Sequence, residues 1–251
     1  MTLVSSLPAQ PLLPTVNGNP IVLVAHGSRD PRSARTMRAL GDAVGERWHA
    51  PVKTAFLDFN PPSVPGALQA LTGRAIPIVV PALLTRAYHG RVDLPEVLSS
   101  VDRSTRLASV LGPAEPGMVP DPLLVAALIR RLSELDVSYD GLVLLAAGTS
   151  HPGARSTVES VATALSTVLH VVCVVGYASA SSPSGAEAVR AAKALGARRV
   201  AATSYFLAAG RLYDAAAASA RTAGVVGVAE PLGDAVELVE LILARAAVHR
   251  G

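Results

Sequence analysis

Short apolar runs alternate with longer amphipathic stretches along most of this chain. Ile21 to Ala25, Val52 to Leu57 and Ile76 to Leu84 form one set of runs; Leu142 to Ala146, Val172 to Ala178 and Val200 to Leu207 form another. Each is of strand length. Between them, Ala34 to Trp48, Asp121 to Leu135 and Gly153 to Val168 space their apolar residues three and four apart, the stripe of a helix with one buried face. Strands alternating with helices predict an α/β fold of parallel sheets flanked by helices, joined by right-handed crossovers.

The pattern is written twice. An offset of 121 residues aligns Gly27 with Gly148, Pro31 with Pro152, Phe56 with Tyr177, Pro62 with Pro183 and Gly112 with Gly233; the third run of each set aligns after a small shift. The duplication predicts two similar α/β domains: residues 20–117, which carry the catalytic candidates, and residues 138–251. A connecting helix region at 118–137 would join them, and a flexible tail at 1–19 would precede them, the first twenty residues of the chain holding four prolines. Two such domains facing each other would enclose a cleft.

Composition supports a folded core. Of 251 residues, 50% are hydrophobic and 16% charged, and no apolar run approaches the ~18 residues of a membrane span. The formal charge of +3 is small and aromatics are 4%, with no basic cluster interleaved with aromatics, so neither nucleic acid nor a membrane is an expected partner. The start of the chain lacks the basic and apolar segments of a signal peptide, which predicts a cytoplasmic protein. The single cysteine, Cys173, lies inside an apolar run and reads as a small buried hydrophobe.

Chemistry gathers at the ends of two runs in the first half. Ile21 to Ala25 ends in His26-Gly27-Ser28-Arg29-Asp30-Pro31, and Ile76 to Leu84 is followed by Thr85-Arg86-Ala87-Tyr88-His89-Gly90-Arg91. In an open parallel sheet the ligand crevice lies outside the carboxyl ends of the strands, so His26 and His89 can converge there. Under the offset, His26 meets Ala147 and His151 answers to Asp30, and Ala208 to Asp214 has no histidine to match His89. The second half thus keeps the scaffold without the candidate ligands. Arg29, Arg32, Arg35 and Arg38 recur every three residues, a slanting row on a solvated helix face, with Arg29 and Arg32 near enough to the strand tip to meet an anion. His151 is expected to cap or orient the helix beginning near Pro152; His49, His170 and His249 read as structural or exposed. Ser28 and Ser150 lack the Gly-x-Ser-x-Gly surroundings of a hydrolase nucleophile, and no Gly-x-Gly-x-x-Gly follows the first run.

The segments Leu23 to Ser33 (LVAHGSRDPRS), Ala55 to Asp58 with Pro62 and Ser63, Val79 to Pro95 (VVPALLTRAYHGRVDLP), and two late strands carrying Leu111-Gly112 and Pro231-Leu232-Gly233 resemble the sirohydrochlorin chelatases. These class II chelatases insert a divalent metal into a tetrapyrrole without ATP or helper subunits. The resemblance implies that the first-strand histidine and the histidine after the fourth strand bind metal and accept pyrrole protons, roles that fall on His26 and His89. Asp58 stands where the family often has glutamate. Ser28, Arg29, Asp58, Arg86 and Arg91 would bind the substrate, with the arginines meeting the anionic rim of the macrocycle. It implies no tightly bound cofactor, with Fe²⁺ or Co²⁺ as a substrate, in sirohaem or cobalamin biosynthesis; a carrier of metal or tetrapyrrole using the same cleft is the alternative. A duplicated chain supplies both walls and is expected to act as a monomer.

Overall fold

The computed structural model describes residues 18–85 and 94–249. Two four-stranded parallel sheets are built from corresponding segments. The first contains β1 (Ile21–Ala25), β2 (Val52–Phe56), β3 (Ile78–Pro81) and β4 (Arg106–Leu107) in the order β2-β1-β3-β4. The second contains β5 (Gly141–Ala146), β6 (Val172–Tyr177), β7 (Val200–Ser204) and β8 (Gly227–Val228) in the order β6-β5-β7-β8. Ile21 faces Val52 and Ile78, and Leu142 faces Cys173 and Ala201, so the registers repeat as well. The strand preceding the His89 segment is therefore the third in chain order, not the fourth. It is also shorter than the apolar run that predicted it. Leu111-Gly112 and Pro231-Leu232-Gly233 follow β4 and β8 as loops; the Gly112 and Gly233 N–H groups donate to the carbonyls of Leu83 and Leu207.

All five residues of β1 and all six of β5 are buried, because both faces of each sheet are covered. The pleat sends Val22 and Val24 to one side, against Val64 and Leu68 of α2 (Val64–Gln69) and Leu94 of α3 (Leu94–Ser99). Val143 and Leu145 likewise join Val189 of α6 (Gly185–Ala194) and Ala216 of α7 (Arg211–Thr222). On the opposite faces, Ile21, Leu23, Leu142 and Leu144 belong to one continuous core shared by both halves.

Four helices fill that shared core: α1 (Pro31–Arg47), α4 (Pro122–Ser133), α5 (Pro152–Leu169) and α8 (Val236–Ala247). Helix α1 begins three residues before the predicted Ala34. Asp30 caps it by accepting the Arg32 N–H, and Pro31 occupies the first turn, where its missing donor costs nothing. Ala34, Met37, Leu40, Gly41 and Val44 then form its buried stripe. The connecting region holds α4, which packs on β7 and α5 of the second half, whereas α8 packs on α1 and β3 of the first. The last helix of each half thus crosses to the other sheet, and the two exchanged helices meet.

Candidate active site

The order β2-β1-β3-β4 changes winding direction between β1 and β3, which places the ligand crevice beyond the carboxyl end of β1. His26 is the first residue past that end. Its backbone carbonyl accepts the Asp58 N–H at 2.9 Å, which fixes the two predicted site residues side by side. Gly27 has φ +95°, and a Cβ there would drive into the Asp58 carbonyl, so the chain turns away from the strand at a position only glycine fills without strain. The Ser28 N–H donates to Asn60 Oδ1 at 2.8 Å, and Ser28 Oγ accepts the Asp30 N–H at 3.1 Å. This internal bond leaves the hydroxyl proton of Ser28 available to a ligand. Asp58 Oδ1 accepts the Phe59 N–H at 2.8 Å while the residue remains exposed.

Arginine placement departs from the expected row. Arg29 precedes α1 and is exposed, with Cζ 5.2 Å from the centroid of the Phe59 ring. Arg38 covers Phe56 and donates to the Pro61 carbonyl. Arg32 is not poised for a ligand: it pairs with Asp30 at 2.7 Å and reaches Asp214 on α7 of the other half at 2.6 Å. The hydrogen bond from Arg32 holds the Asp30 carboxyl below its ordinary range, and bonds to Asp30 and then Asp214 raise Arg32 further. The carboxyl ends of the two sheets are joined again where the Tyr205 hydroxyl, just past β7, donates to the Leu84 carbonyl at 2.7 Å. Burial pushes that phenol well above its usual range.

The second half repeats this turn without its reactive side chains. Gly148 has φ +91° beneath the Ser179 carbonyl, the Thr149 N–H donates to Ser181 Oγ, and Thr149 Oγ1 accepts the His151 N–H. Cis prolines 62 and 183 also correspond. His151 holds the N-cap position of α5, as its match with Asp30 requires, but its side chain makes no capping hydrogen bond; helix orientation falls to the backbone and Pro152. His49 and His170 are exposed, and the half-buried His249 offers its carbonyl to Arg106. Cys173 is partly buried, and desolvation pushes its thiol up to about 12.

His89, Arg86 and Arg91 lie outside the described residues. Among the described residues, no group of three or more His, Cys, Asp or Glu side chains could hold a metal ion, and no helix is long and apolar enough to cross a membrane. Sequence reasoning missed Phe59 and Asn60, which follow Asp58 and touch Arg29 and Ser28. The pairing of Asn60 with Ser181 under the 121-residue offset was the available signal.

Two parallel-sheet repeats with their carboxyl ends brought together define a class II chelatase fold. The CbiX family model matches residues 20–135 and again 141–248, and the chain belongs to that family of sirohydrochlorin chelatases, in its two-repeat form. A sirohydrochlorin ferrochelatase of Bacillus subtilis is 28% identical over 156 residues, 60% of this chain and 59% of that protein. A sirohydrochlorin cobaltochelatase of Methanothermobacter thermautotrophicus is 30% identical over 80 residues, 31% of this chain and 56% of that one. These alignments therefore span less than two thirds of either relative. The structure of SirB from Bacillus subtilis with Fe³⁺ superposes with a TM-score of 0.77 at 22% identity, covering 92% of this chain and 94% of that one.

Proposed function

We propose that this protein inserts Fe²⁺ or Co²⁺ into sirohydrochlorin without ATP, as a cytoplasmic step in sirohaem or cobalamin biosynthesis. The observation that carries the reading is a histidine at the end of β1, beside an exposed carboxylate, in only one of two turns with matching backbone. Metallation requires a ligand that displaces water from the incoming ion and a base that removes two pyrrole protons. Imidazole serves both purposes near neutral pH, and a site with few protein ligands releases its metal to the macrocycle. His26 and His89 take these roles, with Asp58 supplying an oxygen donor beside His26. The Ser28 hydroxyl and the guanidinium groups of Arg29, Arg86 and Arg91 hold the carboxylates of the macrocycle. Both repeats belong to one chain, which favours a monomer as the working unit.

The test is the visible spectrum of sirohydrochlorin mixed anaerobically with the protein and either Fe²⁺ or Co²⁺, without nucleotide. Metallation faster than the protein-free reaction is expected, and the faster of the two parallel reactions identifies the preferred metal. Tight pigment binding with no acceleration by either ion would replace the chelatase with a carrier.

A further inference from the structure

The side chain of Phe59 has no explanation in the fold. It is 49% exposed, and its φ of +62° is a left-handed conformation unusual for a bulky residue, where glycine or asparagine would be less strained. The turn itself does not need the ring. Ala180, its counterpart in the second half, takes φ +54° in the same turn with a methyl group. Among the side chains that differ between these matching turns are His26 for Ala147, Arg29 for Ser150 and Phe59 for Ala180.

Phe59 touches both of the others. The rings of His26 and Phe59 meet edge to face, with centroids 6.3 Å apart and planes at 86°. Arg29 lies over the Phe59 ring at 5.2 Å. An aromatic ring between an imidazole and a guanidinium limits the directions both can take, at a smaller ordering cost than two unsupported side chains would incur on binding. Asp58 fixes the ring's backbone by accepting its N–H, so the carboxylate neighbour of His26 also sets the Phe59 turn.

We propose that Phe59 is a positioning residue, holding His26 and Arg29 as one unit toward a planar, polycarboxylated ligand. The guanidinium meets a carboxylate at the rim while the imidazole faces the centre. This rests on the tetrapyrrole reading of the site and adds to it the element that sets the angle between the two recognition groups.

Sirohydrochlorin affinity, measured by quenching of its fluorescence, and steady-state metallation would be compared for wild type, Phe59→Gly, Phe59→Tyr, Arg29→Ala and the Phe59→Gly/Arg29→Ala pair. Glycine suits the backbone angle, so Phe59→Gly should keep the wild-type Tm. Its kcat/KM should fall about 10-fold, mainly through KM, with a parallel loss of pigment affinity, as expected for losing two contacts of this kind. Phe59→Tyr should stay within about 2-fold of wild type, and the double variant should lose less than the two single losses combined, because the Arg29 contact is counted in both. Unchanged affinity and KM in Phe59→Gly, or fully additive losses in the pair, would overturn the proposal. A wild-type protein that binds the pigment without turnover would count against the chelatase reaction and leave affinity to judge Phe59. Failure of the wild type to bind it would overturn both.

Discussion

Replacing Gly27 by alanine tests the geometry of the site and has an internal control. The residue has φ +95°, and an added Cβ would meet the Asp58 carbonyl, which belongs to backbone and cannot rotate aside. A left-handed non-glycine residue costs about 1–2 kcal/mol, and forcing neighbouring backbone apart adds on the order of 1–3 kcal/mol. A loss near 3 kcal/mol would lower Tm by about 6–12 °C in a chain of this size. Gly148 sits at φ +91° beneath the Ser179 carbonyl, so Gly148→Ala should be destabilised by a similar amount. The two variants should separate in activity. The backbone shift in Gly27→Ala moves His26 relative to Asp58, and displacement of about 1 Å at a reacting centre can cost ~100-fold. Gly148→Ala disturbs a turn bearing Ala147 and Ser150 and should keep most of its kcat below the melting range. Differential scanning calorimetry and initial metallation rates at 20 °C give both quantities. A Gly27→Ala protein with wild-type Tm would refute the steric argument; equal loss of kcat in both variants would refute the one-sided site.

His26→Ala should reduce metallation ~100-fold or more with little change in Tm, since the residue lies past the strand and leaves no core cavity, whereas His151→Ala should retain most activity; initial rates check both. Tyr205→Phe removes the hydroxyl that serves the Leu84 carbonyl between the halves and should cost about 1–2 kcal/mol in urea unfolding with an unchanged slope. Cys173, its thiol pushed up to about 12 by burial, should be inert to iodoacetamide at pH 8 and react after unfolding, as mass spectrometry would show.

The strands that carry the site were legible because they are buried on both faces and therefore appear as unbroken apolar runs. Ile21 to Ala25 matches β1 residue for residue, and Leu142 to Ala146 misses only the first residue of β5. The beginning of α1 was less visible. Its first turn, Pro31-Arg32-Ser33, has no apolar residue to start a stripe, and the informative residue was the capping Asp30. Extending a helical row of arginines back to Arg29 crossed that cap and linked residues that the structure separates. The partner of Arg32, Asp214, lies 182 residues away and is fixed by how the halves meet, which no local pattern encodes. For the same reason the stripes of α4 and α8 announced buried faces without saying which sheet each would cover.

The crossing of these two helices makes the repeats hostages of each other's stability. If residues 118–137 were an ordinary tether, each half could melt by its own equilibrium, and cutting the chain there would release two folded pieces. Here unfolding the first sheet strips α8 of its support on β3 and α1, and unfolding the second does the same to α4 on β7 and α5. Thermal denaturation should therefore be a single transition whose van't Hoff and calorimetric enthalpies agree. A half without a histidine at its strand tip then has a reason to persist: it keeps the reactive half folded, and its freedom to diverge ends where the exchanged helix begins.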